Sequence, residues 1–128
     1  MSESSKYAPL TLAYIGDSVH TLFVRERVIG QSDKKVNELH ILTSRYVKAS
    51  AQAKAIHILL PELNEEEEAI YKRGRNAKSA TVPKNAIVSD YHAATGFEAL
   101  IGALYIDKKK ERLNEILARS MEIINTED

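Results

Sequence analysis

The chain contains no cysteine, which excludes disulfides, thiolate metal sites and thiol redox chemistry, and is compatible with a reducing cytosol. No apolar run approaches the ~20 residues of a membrane-spanning helix. Residues 1–6, MSESSK, are polar and lack the apolar core of a secretion signal. A cytoplasmic protein with no membrane partner is expected. Neither sign of charge is in excess, with 18 Lys and Arg against 18 Asp and Glu, so net charge advertises no polyanion and any such surface must come from the distribution of charge. Strand alternation, hairpin signals and internal repeats are lacking as well. His20, His40, His57 and His92 are scattered without zinc-ligand spacing. A length of 128 residues suits one domain able to bury about two-thirds of its extended-chain surface.

What is present is helical periodicity, and an all-α fold of six or seven helices follows. A first helix is expected from Pro9, tolerated in an initial turn, to Gly30 as a C-terminal cap. Val36, Leu39, Leu42, Tyr46 and Val47 stripe a second helix with Asp33 as N-cap. Residues 49–60 are Ala-rich, stop at Pro61 and read as a structural core helix, with His57 packed between Ile56 and Ile58. Asn64 followed by four glutamates reads as an N-cap opening a solvated helix start rather than a metal cluster, since adjacent acids point around a helix instead of converging. Ser89 or Asp90 can cap a helix ending near Asp107, and Leu113, Ile116, Leu117, Ser120 and Ile124 stripe a last amphipathic helix.

Two of these helices carry a lone acid in an apolar setting. Glu98 sits at the edge of the stripe Phe97, Leu100, Ile101 and Leu104, and Asp17 interrupts Leu12, Ile15, Val19 and Leu22. A carboxylate so placed costs several kcal/mol unless it is hydrogen-bonded, paired with Lys or Arg, solvated, or bound to a metal. Each acid has a glycine beside it, Gly16 next to Asp17 and Gly102 one turn after Glu98. Glycine inside a helix costs about 0.5–1 kcal/mol relative to Ala and marks a close neighbour. Two helices meeting at such points could bring the acids together, where they would repel unless a cation lay between them. An all-oxygen site with few protein ligands suits Mg²⁺ better than Zn²⁺. His20, one turn from Asp17, is within range of hydrogen-bonding that acid or touching a substrate.

Between these motifs the character changes. Lys72, Arg73, Arg75, Lys78 and Lys84 carry positive charge with no acid before Asp90, and Asn76, Ser79, Thr81 and Asn85 intersperse amides and hydroxyls, with Gly74 and Pro83. Most of residues 72–89 should be loop. Such a stretch is either a solvated basic turn balancing the glutamates before it or a surface for phosphate and ribose.

At these residues a resemblance becomes specific. Tyr14-Ile15-Gly16-Asp17-Ser18-Val19 resembles the signature of ribonuclease III catalytic domains, and the stretch from Phe97 through Glu98 to Tyr105, FEALIGALY, resembles their second acidic motif. Residues 73–85, RGRNAKSATVPKN, are similar to the Mini-ribonuclease III branch, which is the catalytic domain without a double-stranded RNA-binding domain. The likeness runs from about Leu10 to about Leu117. It implies a homodimeric all-α endonuclease that hydrolyses double-stranded RNA with Mg²⁺, or Mn²⁺ in its place, leaving 5′-phosphate and 3′-hydroxyl ends. Carried over residue by residue, it makes Asp17 and Glu98 the metal-binding, catalytic acids. It makes Arg73, Arg75, Asn76, Lys78, Ser79, Lys84 and Asn85 RNA contacts. The substrate class it implies is precursor large-subunit (23S) ribosomal RNA, with a ribosomal protein as an eventual partner. The pattern also departs from the family. The larger enzymes usually have two further acids, where this chain has Ala13 and Thr95, which leaves a non-catalytic dimeric RNA-binding or ribosome-assembly protein as the alternative.

Overall fold

The computed structural model describes residues 2–31, 33–78, 82, 84 and 87–126. Among them are a 3-10 turn at Glu3–Lys6, α1 (Pro9–Gln31), α2 (Val36–Val47), α3 (Ala49–Leu59), a 3-10 turn at Leu60–Glu62, α4 (Glu65–Asn76), α5 (Val88–Ile106) and α6 (Lys110–Thr126). The described residues contain no strand, as the missing alternation foretold.

The architecture follows from α5. From Ala93 to Leu104 every residue except Glu98 is buried, so this helix is apolar or small all round and can only lie at the centre. The other helices of the main core pack around it, α1 and α4 most extensively, then α3 and α6. Phe97, Leu100, Ile101, Ile56, Leu59, Tyr71, Ile116 and Leu117 form the fully enclosed part of that core. A satellite cluster of Val24, Val28 and Met121, with Leu39, Leu42 and Tyr46 against it, docks α2 on the far half of α1.

The two glycines singled out by sequence are where α1 and α5 touch. A Cβ on Gly16 would overlap the backbone carbonyl of Glu98, and one on Gly102 would overlap the carbonyl of Leu12. Each helix thus offers a notch to the other's backbone, which no side chain could share. The contact is reciprocal and fixes Asp17 beside Glu98 before any side-chain interaction is counted.

Several helix ends differ from the expected ones. α1 runs through Gly30 to Gln31, because Gly30 stands in open space and no described glycine takes the positive φ of a left-handed cap. α2 opens at Val36 with Lys35, not Asp33, at the cap position; the Lys35 carbonyl accepts from the amides of Glu38 and Leu39. α5 opens at Val88 after Ile87, leaving Ser89 and Asp90 inside its first turn. The Asn64 cap is a complete capping box. The Glu67 amide donates to Asn64 Oδ1 at 2.8 Å, and the Asn64 amide donates to Glu67 Oε1 at 3.0 Å. The acidic run is not wholly solvated, however. Glu67 is 4% exposed and accepts from Arg112 of α6 through Nε and Nη2, both at 2.8 Å. The Arg112 guanidinium holds the Glu67 carboxyl below the usual carboxylate range. His57 is exposed rather than packed, because Ile56, Leu59 and Ala55 take the buried side of α3.

The polar N-terminal stretch has a structural role that its composition did not reveal. Ser4 is buried; its amide and hydroxyl donate to Asp107 Oδ1 and Oδ2, each at 2.7 Å. This clasp ties the segment before α1 to the residue that ends α5.

Replacing Gly16 or Gly102 with Ala should therefore destabilise the chain by about 3 kcal/mol or more, at the upper end of overpacking costs, because the obstacle is backbone that cannot change rotamer. Gly30→Ala, with nothing near it, should be neutral or stabilising. Urea melts of the three variants test this, and a Gly16→Ala protein as stable as wild type would refute the notch.

Candidate active site

Asp17 lies on α1 and is exposed, whereas Glu98 lies on α5 and is only partly accessible. The close approach at Gly16 and Gly102 sets their carboxyls within hydrogen-bonding reach of each other. Of the outcomes open to a lone acid in an apolar helix, the described residues realise neither a permanent Lys or Arg partner for Glu98 nor full solvation. The groups that act on it are Asp17 and Gln52, and neither is a cation. Burial first, then the hydrogen bond and negative charge of Asp17, push the Glu98 carboxyl up to about 8, against a smaller lowering by Gln52. Near neutral pH Glu98 therefore keeps its proton, and a divalent cation is what could replace that proton while satisfying both acids. The donor chemistry fits Mg²⁺: hard carboxylate oxygens, one of them open to solvent, so that the ion could retain its waters. Among the described residues no cluster of three or more His, Asp and Glu is poised to hold a metal, so these two acids are the whole carboxylate set. At the two places where the larger enzymes carry acids, Ala13 is buried, and the Thr95 hydroxyl donates to the Tyr91 carbonyl of its own helix at 2.9 Å.

Two neighbours of the pair differ from expectation. His20 is 1% exposed, so it meets no substrate in this structure. Its hydrogen-bond partner is not Asp17: Gln52 Nε2 lies 2.8 Å from its Nδ1, and its ring stands edge-on to Phe97 with centroids 5.1 Å apart. Burial lowers the His20 imidazole to about 4 although Asp17 opposes the shift, so it is neutral at physiological pH. Gln52, on α3, the helix that the sequence marks only as structural core, is the second such neighbour. It is 2% exposed, and its Nε2 also lies 3.4 Å from Glu98 Oε2. The legible signal was a single amide flanked by Ala51 and Ala53 on the buried side of that helix.

The basic residues divide. Arg73, Arg75 and Asn76 are helical, in the last turn of α4, so the loop starts later than expected. Lys78 and Lys84 are exposed outside the helices, while Ser79 and Asn85 lie outside the described residues. Arg75 stacks over the Tyr71 ring at 5.6 Å, and its Nε donates to Asn76 Oδ1 at 3.1 Å. Arg73 instead lines a cavity of about 690 Å³ with Ser2, Ser5, Tyr7 and Lys109. Lys72 is engaged by Glu68 at 3.1 Å. The end of α4 is nonetheless next to α5, the helix of Glu98, because a Cβ on Gly74 would fall 2.7 Å from Ala99 Cβ and 2.9 Å from Gly96 Cα.

Comparison with known proteins places this geometry in a family. The Ribonuclease III domain model matches residues 10–109. The chain therefore belongs to the ribonuclease III family and is an endoribonuclease, a phosphodiester hydrolase. Within that family it is similar to proteins named Mini-ribonuclease 3. It is 48% identical to that of Symbiobacterium thermophilum over 116 residues, covering 91% of this chain and 89% of the relative. It is 51% identical to that of Clostridium tetani over 110 residues, covering 85% and 73%. The crystal structure of protein FN1578 from Fusobacterium nucleatum superposes with a TM-score of 0.85 at 30% identity, covering 95% of this chain and 98% of that one.

The raised Glu98 carboxyl has a consequence for stability without metal. A folded-state value near 8 against an ordinary 4.5 means that the folded chain keeps a proton that the unfolded chain releases. Its contribution is full below about pH 4.5 and is lost as pH rises through about 8. In EDTA, Glu98→Gln should raise the melting temperature at pH 9 by about 3 °C or more and change it little at pH 5. Melting curves of both proteins across that range check this, and parallel pH profiles would contradict it.

Proposed function

We propose that this endoribonuclease cleaves double-stranded RNA as a homodimer, with Mg²⁺, or Mn²⁺ in its place, held by Asp17 and Glu98. The observation that carries the reading is the pairing of these two acids, one partly enclosed and one open, with no basic group among the described residues acting on the enclosed one. Waters and an RNA phosphate would complete the ion's shell. When bound, such an ion acidifies a water and offsets charge developing on the phosphate and the leaving 3′ oxygen. The chain's own part is to hold two acids at one point, to keep Glu98 in apolar surroundings from which it gives up a proton on loading, and to leave Asp17 facing solvent where RNA arrives. Thr95, its proton committed to Tyr91, could contribute only through water. With two carboxylates the site should hold metal weakly in the absence of RNA, and a dissociation constant in the low micromolar range for Mg²⁺ on the free protein would count against this assignment.

RNA binding is assigned to Arg73, Arg75, Asn76, Lys78 and Lys84, with Ser79 and Asn85 completing the segment. What supports it is the position of the last turn of α4 against Gly96 and Ala99. The homodimer finds support in α1, where Tyr14 at 80% exposure, Leu22 and Ile29 recur on one side of the helix. So large an apolar stripe flanking a site residue is the kind of surface that a second copy covers. The substrate class, precursor 23S ribosomal RNA presented with the help of a ribosomal protein in the cytoplasm, rests on family likeness alone.

The test is incubation of long double-stranded RNA with protein and either Mg²⁺ or EDTA. Cutting should require the metal, and Asp17→Asn or Glu98→Gln should lower the rate by at least about 10³-fold, the scale of losing a metal's charge at the reacting phosphate, while RNA is still retained. Metal-independent cutting, or full activity in either variant, rejects the site. Lys78→Ala with Lys84→Ala, four lysines per homodimer, should weaken binding evenly across sequences and reduce the slope of log affinity against log salt by about 4. An unchanged slope would remove these lysines from the RNA face.

A further inference from the structure

Gln52 and His20 are buried polar side chains at the acid pair that the proposed function leaves unused, and of the two Gln52 reaches a carboxyl directly. A buried amide needs partners for its hydrogens, and this one has two acceptors from two different helices: His20 Nδ1 of α1 at 2.8 Å and Glu98 Oε2 of α5 at 3.4 Å. The same nitrogen serves both, so the two N–H bonds of one planar group point to the ring and to the carboxyl. Accepting from Gln52 assigns the lone pair to Nδ1 of His20 and fixes the ring's tautomer. The ring cannot turn away, since it is enclosed and lies edge-on to Phe97, the residue next to Glu98. Ala51 and Ala53, both buried, give α3 the small surface that lets the amide reach inward. α3 thereby contributes a fixed strut to a site whose acids come from α1 and α5.

We infer that Gln52 is a positioning residue that orients the Glu98 carboxyl toward the shared site with Asp17, and that His20 acts only by anchoring Gln52. The inference rests on the reading of Asp17 and Glu98 as the metal-binding acids. Groups that orient ligands from behind typically change metal affinity about 10–100-fold when removed. Here the orienting bond is long, which places the effect at the lower end.

Gln52→Met keeps length and volume while removing the amide. The variant should need about ten-fold more Mg²⁺ for half-maximal cleavage of double-stranded RNA, yet cleave within about three-fold of wild type at saturating metal. Without RNA, the Mg²⁺-induced rise in melting temperature should be reduced at matched metal concentration, while the melting temperature in EDTA stays within a few degrees of wild type. His20→Leu should shift the metal requirement in the same direction, and in the Gln52→Met background it should add nothing. A purely packing role would instead lower the EDTA melting temperature and leave the metal midpoint alone. If Gln52→Met does not fold, His20→Leu reports on the same strut by the same two readouts. A folded Gln52→Met protein with the wild-type Mg²⁺ midpoint and thermal response overturns the inference and leaves the acid pair intact. So does additivity of the two substitutions. If wild-type protein itself shows no response to Mg²⁺ in either readout, the metal site and this inference fall together.

Discussion

The structure depends on the contact between two helix backbones at Gly16 and Gly102. Everything chemical about the site follows from it. A carboxylate on a central helix is tolerable only if something nearby absorbs its charge, and the notches bring a second acid there instead of a base. The result is a buried-side carboxyl, Glu98, that keeps its proton near neutral pH with a second acid beside it. Stability and reactivity are therefore opposed at one point: the apolar packing that encloses α5 is also what raises the Glu98 carboxyl. That opposition is a common feature of sites that fold against local rules.

The remaining helices can be understood as supports for this crossing. α4 seals one side of α5 through Tyr71 and Gly74 and sets its cationic last turn against Gly96 and Ala99. It is itself held at its first turn by the Asn64 capping box and by Arg112 reaching across from α6. α3 closes another side and supplies an amide. α2 packs on the distal half of α1, away from the acids. The exposed apolar residues of α1 are left on the outside by this arrangement, a consequence of committing the helix's other side to the notch.

Much of this was legible in the residues. The all-helical class followed from periodicity, and the acid pair followed from two lone carboxylates each accompanied by a glycine, since only a close neighbour explains glycine in a helix interior. What escaped was information carried by tertiary contacts. Gln52 looked like filler in an alanine-rich helix because nothing local distinguishes an amide that faces solvent from one that faces two acceptors. His20 was placed near Asp17 by helical spacing, correctly in distance along the helix, but spacing could not say that the ring turns inward to α3. Glu67 was read with its solvated neighbours because its partner, Arg112, is 45 positions away. Helix starts at Lys35 and Ile87 were missed where backbone carbonyls, not capping side chains, define the end.

The Ser4 to Asp107 clasp links the start of the described chain to the end of the helix that bears Glu98. Its two short bonds engage both oxygens of Asp107, so the residues around Ser4 behave as part of the tertiary structure. A foreign segment joined close to Ser4 would act on this clasp and, through Asp107, on one terminus of the central helix. The choice of which end to extend is thus a choice about the enzyme's rigidity.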